Sequence, residues 1–198
     1  MAKANWVKVS PSQGSGDATV NVSSTAEHTG RNARTSTLTW KAANVKDVVR
    51  TVAQAGKPEH VDIDDAASAD KGGKIVTISG ISNSRKLTFS LGSGDLTTIS
   101  LPTNYIANSV STKNGAEISG DPGATSAFPF SITIAVPTNE NLATVSRQII
   151  VEDAAGNRDI CVLKQAAGDA FIVIAEGDIE LDYMGTPVSV FVDSNTTW

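Results

Sequence analysis

Cysteine is almost missing from this chain: Cys161 stands alone among 198 residues. No intrachain disulfide can form, so a small stapled scaffold is excluded. Cys161 lies in the alternating stretch "DICVLKQ", where it reads as a small core residue and not as a nucleophile. Aromatic residues are also few, at 5%. Basic charge is not in excess. The net charge of −5 and the scatter of Lys and Arg speak against a nucleic-acid partner. No apolar run approaches the length of a membrane span. The opening "MAKANWVKVS" lacks an apolar leader core, so a soluble chain without an export signal is expected. With two histidines and one cysteine far apart, no zinc-ligand spacing exists. Neither a nucleophile elbow nor a glycine-rich phosphate loop occurs. No pair of carboxylates is marked out for glycoside hydrolysis. The chain reads as non-enzymatic, with no cofactor.

What is present is repetition. "VVRTVAQAG" from Val48 matches "ICVLKQAAG" from Ile160, and Gln165 follows Gln54 by 111 positions. Leu38 and Trp40 fall on Ile149 and Val151 at that offset, and His60 to Ile63 fall on Phe171 to Ile174. Ser82 and Asn83 return as Ser194 and Asn195 at an offset of 112, and Leu87 returns as Trp198 at 111. Such a period is the size of one small domain. The expected organisation is a back half in residues 1–58, a whole unit in 59–168 and the front strands of a further unit in 169–198. The joints near Gly56 and Gly168 are short, which predicts end-to-end packing as a stiff rod.

Period-two alternation between turn signals predicts an all-β protein. In the first unit the strands are Trp6 to Val9, Ala18 to Ser23, Thr35 to Trp40 and Val48 to Gln54. In the second they are His60 to Ile63, Lys74 to Ser79, Lys86 to Leu91, Leu96 to Leu101, Ala116 to Ser119, Phe130 to Val136, Arg147 to Glu152 and Arg158 to Gln165. The third unit gives Phe171 to Ala175, Ile179 to Asp182 and Val188 to Val192. Many short strands with frequent turns predict sandwiches with one face wet and one buried.

Residues 5–56 carry Trp6, a Ser10-Pro11 turn with Gly14 and Gly16, an alternating strand with Val20 and Val22, then Arg34, Leu38, Val48, Val52, Gln54 and Gly56. This pattern resembles the BACON family, the Bacteroidetes-associated immunoglobulin-like sandwich. Its front-half signature, an alternating strand and then Ser-Asn-x-x-Trp, stands in "VSVFVDSNTTW" at the other end. The resemblance is weaker over 59–166, which is either a diverged copy or a more general Ig-like domain. It implies tandem Ig-like β-sandwiches of the kind found in virion proteins of crAss-like phages and in Bacteroidetes surface proteins. The expected role is a structural virion protein such as a head fibre or capsid-decoration protein. The alternative is a carbohydrate-binding or spacer module at the bacterial cell surface. Expected partners are capsid or other virion proteins and further copies of the chain, with a trimer favoured, or a host-surface glycan. The strands that would complete residues 1–58 could come from a capsid protein, a symmetry mate, or residues 171–198.

Candidate sites are sparse. Sugar faces stack on exposed rings, and Tyr105 is the ring in the most loop-like setting. Trp6, Trp40 and Trp198 are expected in cores. Asp62, Asp64, Asp65 and Asp70 could gather around calcium, which takes several oxygen ligands. Their spacing matches no ligand loop, and a solvated acidic loop is the competing reading. Asn21 and Asn195 open glycosylation-type triplets but read as ordinary strand and turn residues.

Overall fold

The computed structural model describes residues 3–174 and 177–198. The fold is all-β, with no α-helix among the described residues. Residues 59–168 build two sheets. One holds, in order across the sheet, β10 (Val110–Lys113), β9 (Asn104–Ala107), β11 (Phe128–Val136), β7 (Lys74–Ser82) and β5 (Val61–Ile63). The other holds β6 (Ala66–Ala69), β13 (Arg158–Gln165), β12 (Val145–Asp153) and β8 (Leu87–Gly94). Two such sheets face to face are consistent with a β-sandwich.

Alternation explains why the faces meet. In β11, Phe128, Phe130, Ile132, Ile134 and Val136 point inward, with Thr133 and Ala135 outward. Ile149, Val151, Cys161 and Leu163 from the facing sheet join them in one buried cluster. Each large apolar side chain so enclosed contributes roughly 1.5–3 kcal/mol. Phe89 packs tilted against Tyr105 and edge-on to Phe130, with centroids 5.0 and 5.9 Å away. β12 has a neighbour on each side and bulges between Arg147 and Ile149. There Gly94 takes φ 140°, which a side chain would resist. β6 runs parallel to β13, from Val162 opposite Ala66 to Gln165 opposite Ala69.

Residues 3–58 form two hairpins, β1 (Val7–Ser10) with β2 (Asn21–Ser24) and β3 (Arg34–Trp40) with β4 (Val48–Gln54). Their shared core is small. Val7, Val9 and Leu38 are buried, with Trp6, Val20, Trp40 and Val52 packed partly around them. Among the described residues each of these four strands has one neighbour, whereas β11, β12 and β13 each have two. Val48 and Val49 face outward. Beyond the middle sheets, β14 (Ile172–Ile174) pairs with β15 (Val192–Ser194) alone.

The strands differ from expectation in specific places. Leu96 to Leu101 is irregular, although Leu96 and Ile99 are buried; they plug the sandwich without joining a sheet. Ala116 to Ser119 supplies one bridge, Glu117 to Lys86. Ile179 to Asp182 is not a strand, and of Val188 to Val192 only Val192 is in one, at the start of β15. Part of Phe171 to Ala175 lies outside the described residues. β6, β9 and β10 were not anticipated.

Candidate functional site

Tyr105 is not a platform for sugars. It sits on β9, not in a loop, and is 2% exposed against Phe89. Burial pushes its hydroxyl up to about 12, so it stays protonated in the core. The tryptophans also depart from expectation. Trp6 and Trp40 are only partly buried at the edge of the small first core. The Arg34 guanidinium lies 4.7 Å from the centroid of the Trp6 ring, a cation–π contact. Trp198 is 79% exposed, while its repeat partner Leu87 is fully buried. Leu87 is enclosed between two sheets; the β14–β15 hairpin faces none among the described residues.

The four aspartates do not form one cluster. Asp62, Asp64 and Asp65 line a shallow cleft with Gly80 and Ile81, and Asp64 accepts the Ser79 N–H at 2.9 Å. Asp70 is elsewhere, in a turn where its carbonyl accepts the Gly73 N–H. Among the described residues no group of three or more His, Cys, Asp or Glu is placed to hold a metal ion. Cys161 is fully buried, and desolvation, reinforced by Asp64, Asp65 and Asp159, pushes its thiol up to about 11. A thiol held neutral there is a poor nucleophile.

Two features do stand out. The first is a groove of about 330 Å³ on the first hairpins, lined by Ser12, Gln13, Gly16, Val20 and Trp40. Val151, the repeat counterpart of Trp40, is fully covered by the facing sheet.

The second is the joint between residues 3–58 and the middle sheets. Asn83, fully buried, holds it from the centre. Its Oδ1 accepts the His60 N–H at 2.9 Å. Its Nδ2 points at the carbonyls of Thr29, Lys57 and Pro58, at 3.2, 3.1 and 3.2 Å. Arg31 reinforces the contact. It donates to the Asn83 carbonyl at 2.7 Å and to Asp121 Oδ2 at 2.5 Å, and its Nε lies 3.4 Å from Glu59. The Asp121 hydrogen bond raises the Arg31 pKa further above its ordinary value, against the opposing effect of burial. Backbone bonds run alongside, from Arg31 N–H to Gly123 and from Asn32 N–H to Ala124. The approach is close enough that a Cβ on Gly30 would sit 2.3 Å from the Thr125 carbonyl carbon, and one on Gly123 2.0 Å from the Asn83 oxygen.

Chemically this is a fixed, polar coupling. The Ser82-Asn83 repeat was visible in the sequence, but its role was not, because Asn83 acts on main-chain carbonyls that leave no mark on residue identity. No family model matches the chain, and no curated protein matches it.

Proposed function

We propose that this chain is a non-enzymatic structural protein of a virion, in a phage of the crAss-like kind that infects Bacteroidetes. It serves as a head fibre or capsid-decoration protein, anchored by residues 1–58 and projecting immunoglobulin-like sandwiches of BACON type. The observation that carries the reading is the open state of the first hairpins. Among the described residues β1, β2, β3 and β4 each offer an edge without a second neighbour, beside a groove that Val20 and Trp40 line. Unpaired edges accept strands from another chain, and an apolar floor gives the incoming strand something to bury. The BACON resemblance over residues 5–56 and 171–198 supplies the biological setting.

Attachment of this kind makes the protein an oligomer or a capsid partner, with a trimer favoured. Light scattering on the purified chain, followed by cross-linking mass spectrometry with the capsid protein added, tests it. Trimers, or cross-links from β2 and β4 into a capsid strand, are expected. A monomer that forms no such links would overturn the reading. The second reading is a spacer or glycan-binding module at a bacterial surface. The outward rings of Tyr183 and Trp198 favour its glycan-binding form, and loss of glycan-array binding in Tyr183→Ala is its test.

A further inference from the structure

The contacts that the Ser-Asn turn makes at the first joint recur in large part at the second, along the repeat. Asn195 Oδ1 accepts the Phe171 N–H at 2.9 Å, as Asn83 does that of His60. Asn195 Nδ2 donates to the carbonyls of Glu140 and Asp169 at 3.3 and 2.8 Å, where Asn83 reaches Thr29 and Pro58. Ser194 Oγ donates to the Phe171 carbonyl at 2.9 Å, as Ser82 Oγ does to that of His60 at 2.8 Å. The hydroxyls then accept the N–H groups of Thr196 and Ser84.

The receiving rim repeats as well. The Gly168 N–H bonds the Asn141 carbonyl at 2.7 Å, as Lys57 bonds Gly30 at 2.8 Å. Asn139 Nδ2 donates to the Ala143 carbonyl at 3.0 Å, in the place where His28 Nε2 meets that of Asn32 at 2.6 Å. Every rim residue advances by 111 and each Ser-Asn residue by 112. The residue types change from His28 to Asn139, Thr29 to Glu140 and Lys57 to Gly168. The hydrogen-bonded main-chain atoms do not, apart from the Lys57 carbonyl, which Asn83 reaches and whose counterpart on Gly168 Asn195 does not.

We infer that the Ser-Asn turn is a docking key. It fits a carbonyl rim at the far end of the preceding unit, and the partner suited to each rim is another unit of the same repeat. One asparagine amide bonded to main chain on both sides of a joint fixes orientation as well as contact, because its acceptor and donors lie in one plane. Repetition of the same bonds makes successive units related by one constant rotation and translation. The Arg31 clamp is an addition to the key and not the key itself, since its counterpart at the second joint is Leu142, an exposed side chain with no charge.

Spin-label distance measurements on the full chain test this. One label pair, at Thr51→Cys and Lys113→Cys, spans the first joint; the other, at Lys113→Cys and Asp193→Cys, spans the second. These positions are exposed, and Cys161 is fully buried and stays unlabelled. Narrow distributions are expected across both joints. Asn195→Ala should widen the second alone, and Asn83→Ala the first alone by less, since Arg31 remains. Hydrogen exchange in the same samples separates docking from folding. The Phe171 amide should lose about tenfold or more in protection in Asn195→Ala, as one hydrogen bond is lost. The amides of β11 to β13 should keep theirs. A wild-type distribution as broad as a flexible tether, or an Asn195→Ala chain with both readouts unchanged, would overturn the inference.

Discussion

Replacing Arg31 by Met should unfold the first hairpins at a much lower temperature and leave the middle sandwich alone. The reasoning is a comparison of sizes. Val7, Val9 and Leu38 are the buried apolar side chains among the described residues of 3–58, worth about 1.5–3 kcal/mol each. That is little against the entropy of ordering some fifty residues at about 1 kcal/mol or more apiece. Contacts across the joint must supply much of the remainder. Arg31 makes three, to the buried Asn83 carbonyl, to Glu59 and to Asp121. A hydrogen bond from a charged donor is worth about 1.5–3 kcal/mol. The Asp121 pair is discounted to about 1 kcal/mol or less, because that carboxylate is substantially exposed. A loss of ~3 kcal/mol follows, and at roughly 4–8 °C per kcal/mol for a domain this small, Tm should fall by ~12 °C or more.

Tryptophan fluorescence reports this transition selectively. Trp6 and Trp40 lie in the first unit and none lies between Trp40 and Trp198, so a Trp198→Phe background isolates it. Circular dichroism follows the middle sheets. Arg31→Lys should recover only part of the loss, since one ammonium nitrogen cannot stand where three guanidinium nitrogens each meet a different acceptor. A fluorescence midpoint within ~3 °C of the parent, or an equal fall in the dichroism transition, would refute the argument.

Ile149→Ala removes a fully buried side chain from the centre of the middle core and should cost about 2–5 kcal/mol in chemical denaturation of that unit. Tyr105→Ala should destabilise the same unit by about 3–5 kcal/mol and change no glycan-array signal, the reverse of what a surface platform would show. The Cys161 thiol titrates near 9.0 when unburied and at about 11 in the fold. Between those values the folded state holds the proton that the unfolded state has lost. Stability is therefore intact below pH 9 and should fall through that window by up to ~3 kcal/mol, read by urea midpoints against a Cys161→Ala control. Asp95 works in the opposite direction. The Ser146 N–H lowers its pKa, so its contribution is present above the ordinary carboxylate range and lost in acid; Asp95→Asn should flatten the acid limb of the stability curve.

Long alternating strands were legible because side-chain period and burial agree. β4 and β13 begin and end where the sequence placed them. β6 escaped notice because Ala66, Ala67, Ser68 and Ala69 carry almost no apolar contrast, and its pairing is supplied by distant β13. β9 and β10 escaped because Asn108 and Ser109 turn the chain in two residues with φ of 47° and 66°. Asn at such a position is a hairpin signal, but Pro102 and Asn104 nearby made the stretch resemble a loop, and Tyr105 with it. Leu96 to Leu101 failed the other way, since apolar content shows burial and not pairing. The candidate site was half visible. The repeat exposed Ser82 and Asn83, yet the groups they grip are carbonyls common to every residue.

The parallel pairing of β6 with β13 has a mechanical meaning. Tension along the array enters the middle sandwich near Pro58 and leaves near Gly168. Once β5 has parted from β7, it draws the start of β6 one way and the end of β13 the other, along the strand direction. Their hydrogen bonds lie across that line, so they are sheared together and must rupture as a group instead of unzipping singly. Resistance of this kind is a rate of unfolding, set by a barrier and not by equilibrium stability. A tether subject to sudden pulls gains endurance from that ladder even where its folding free energy is modest.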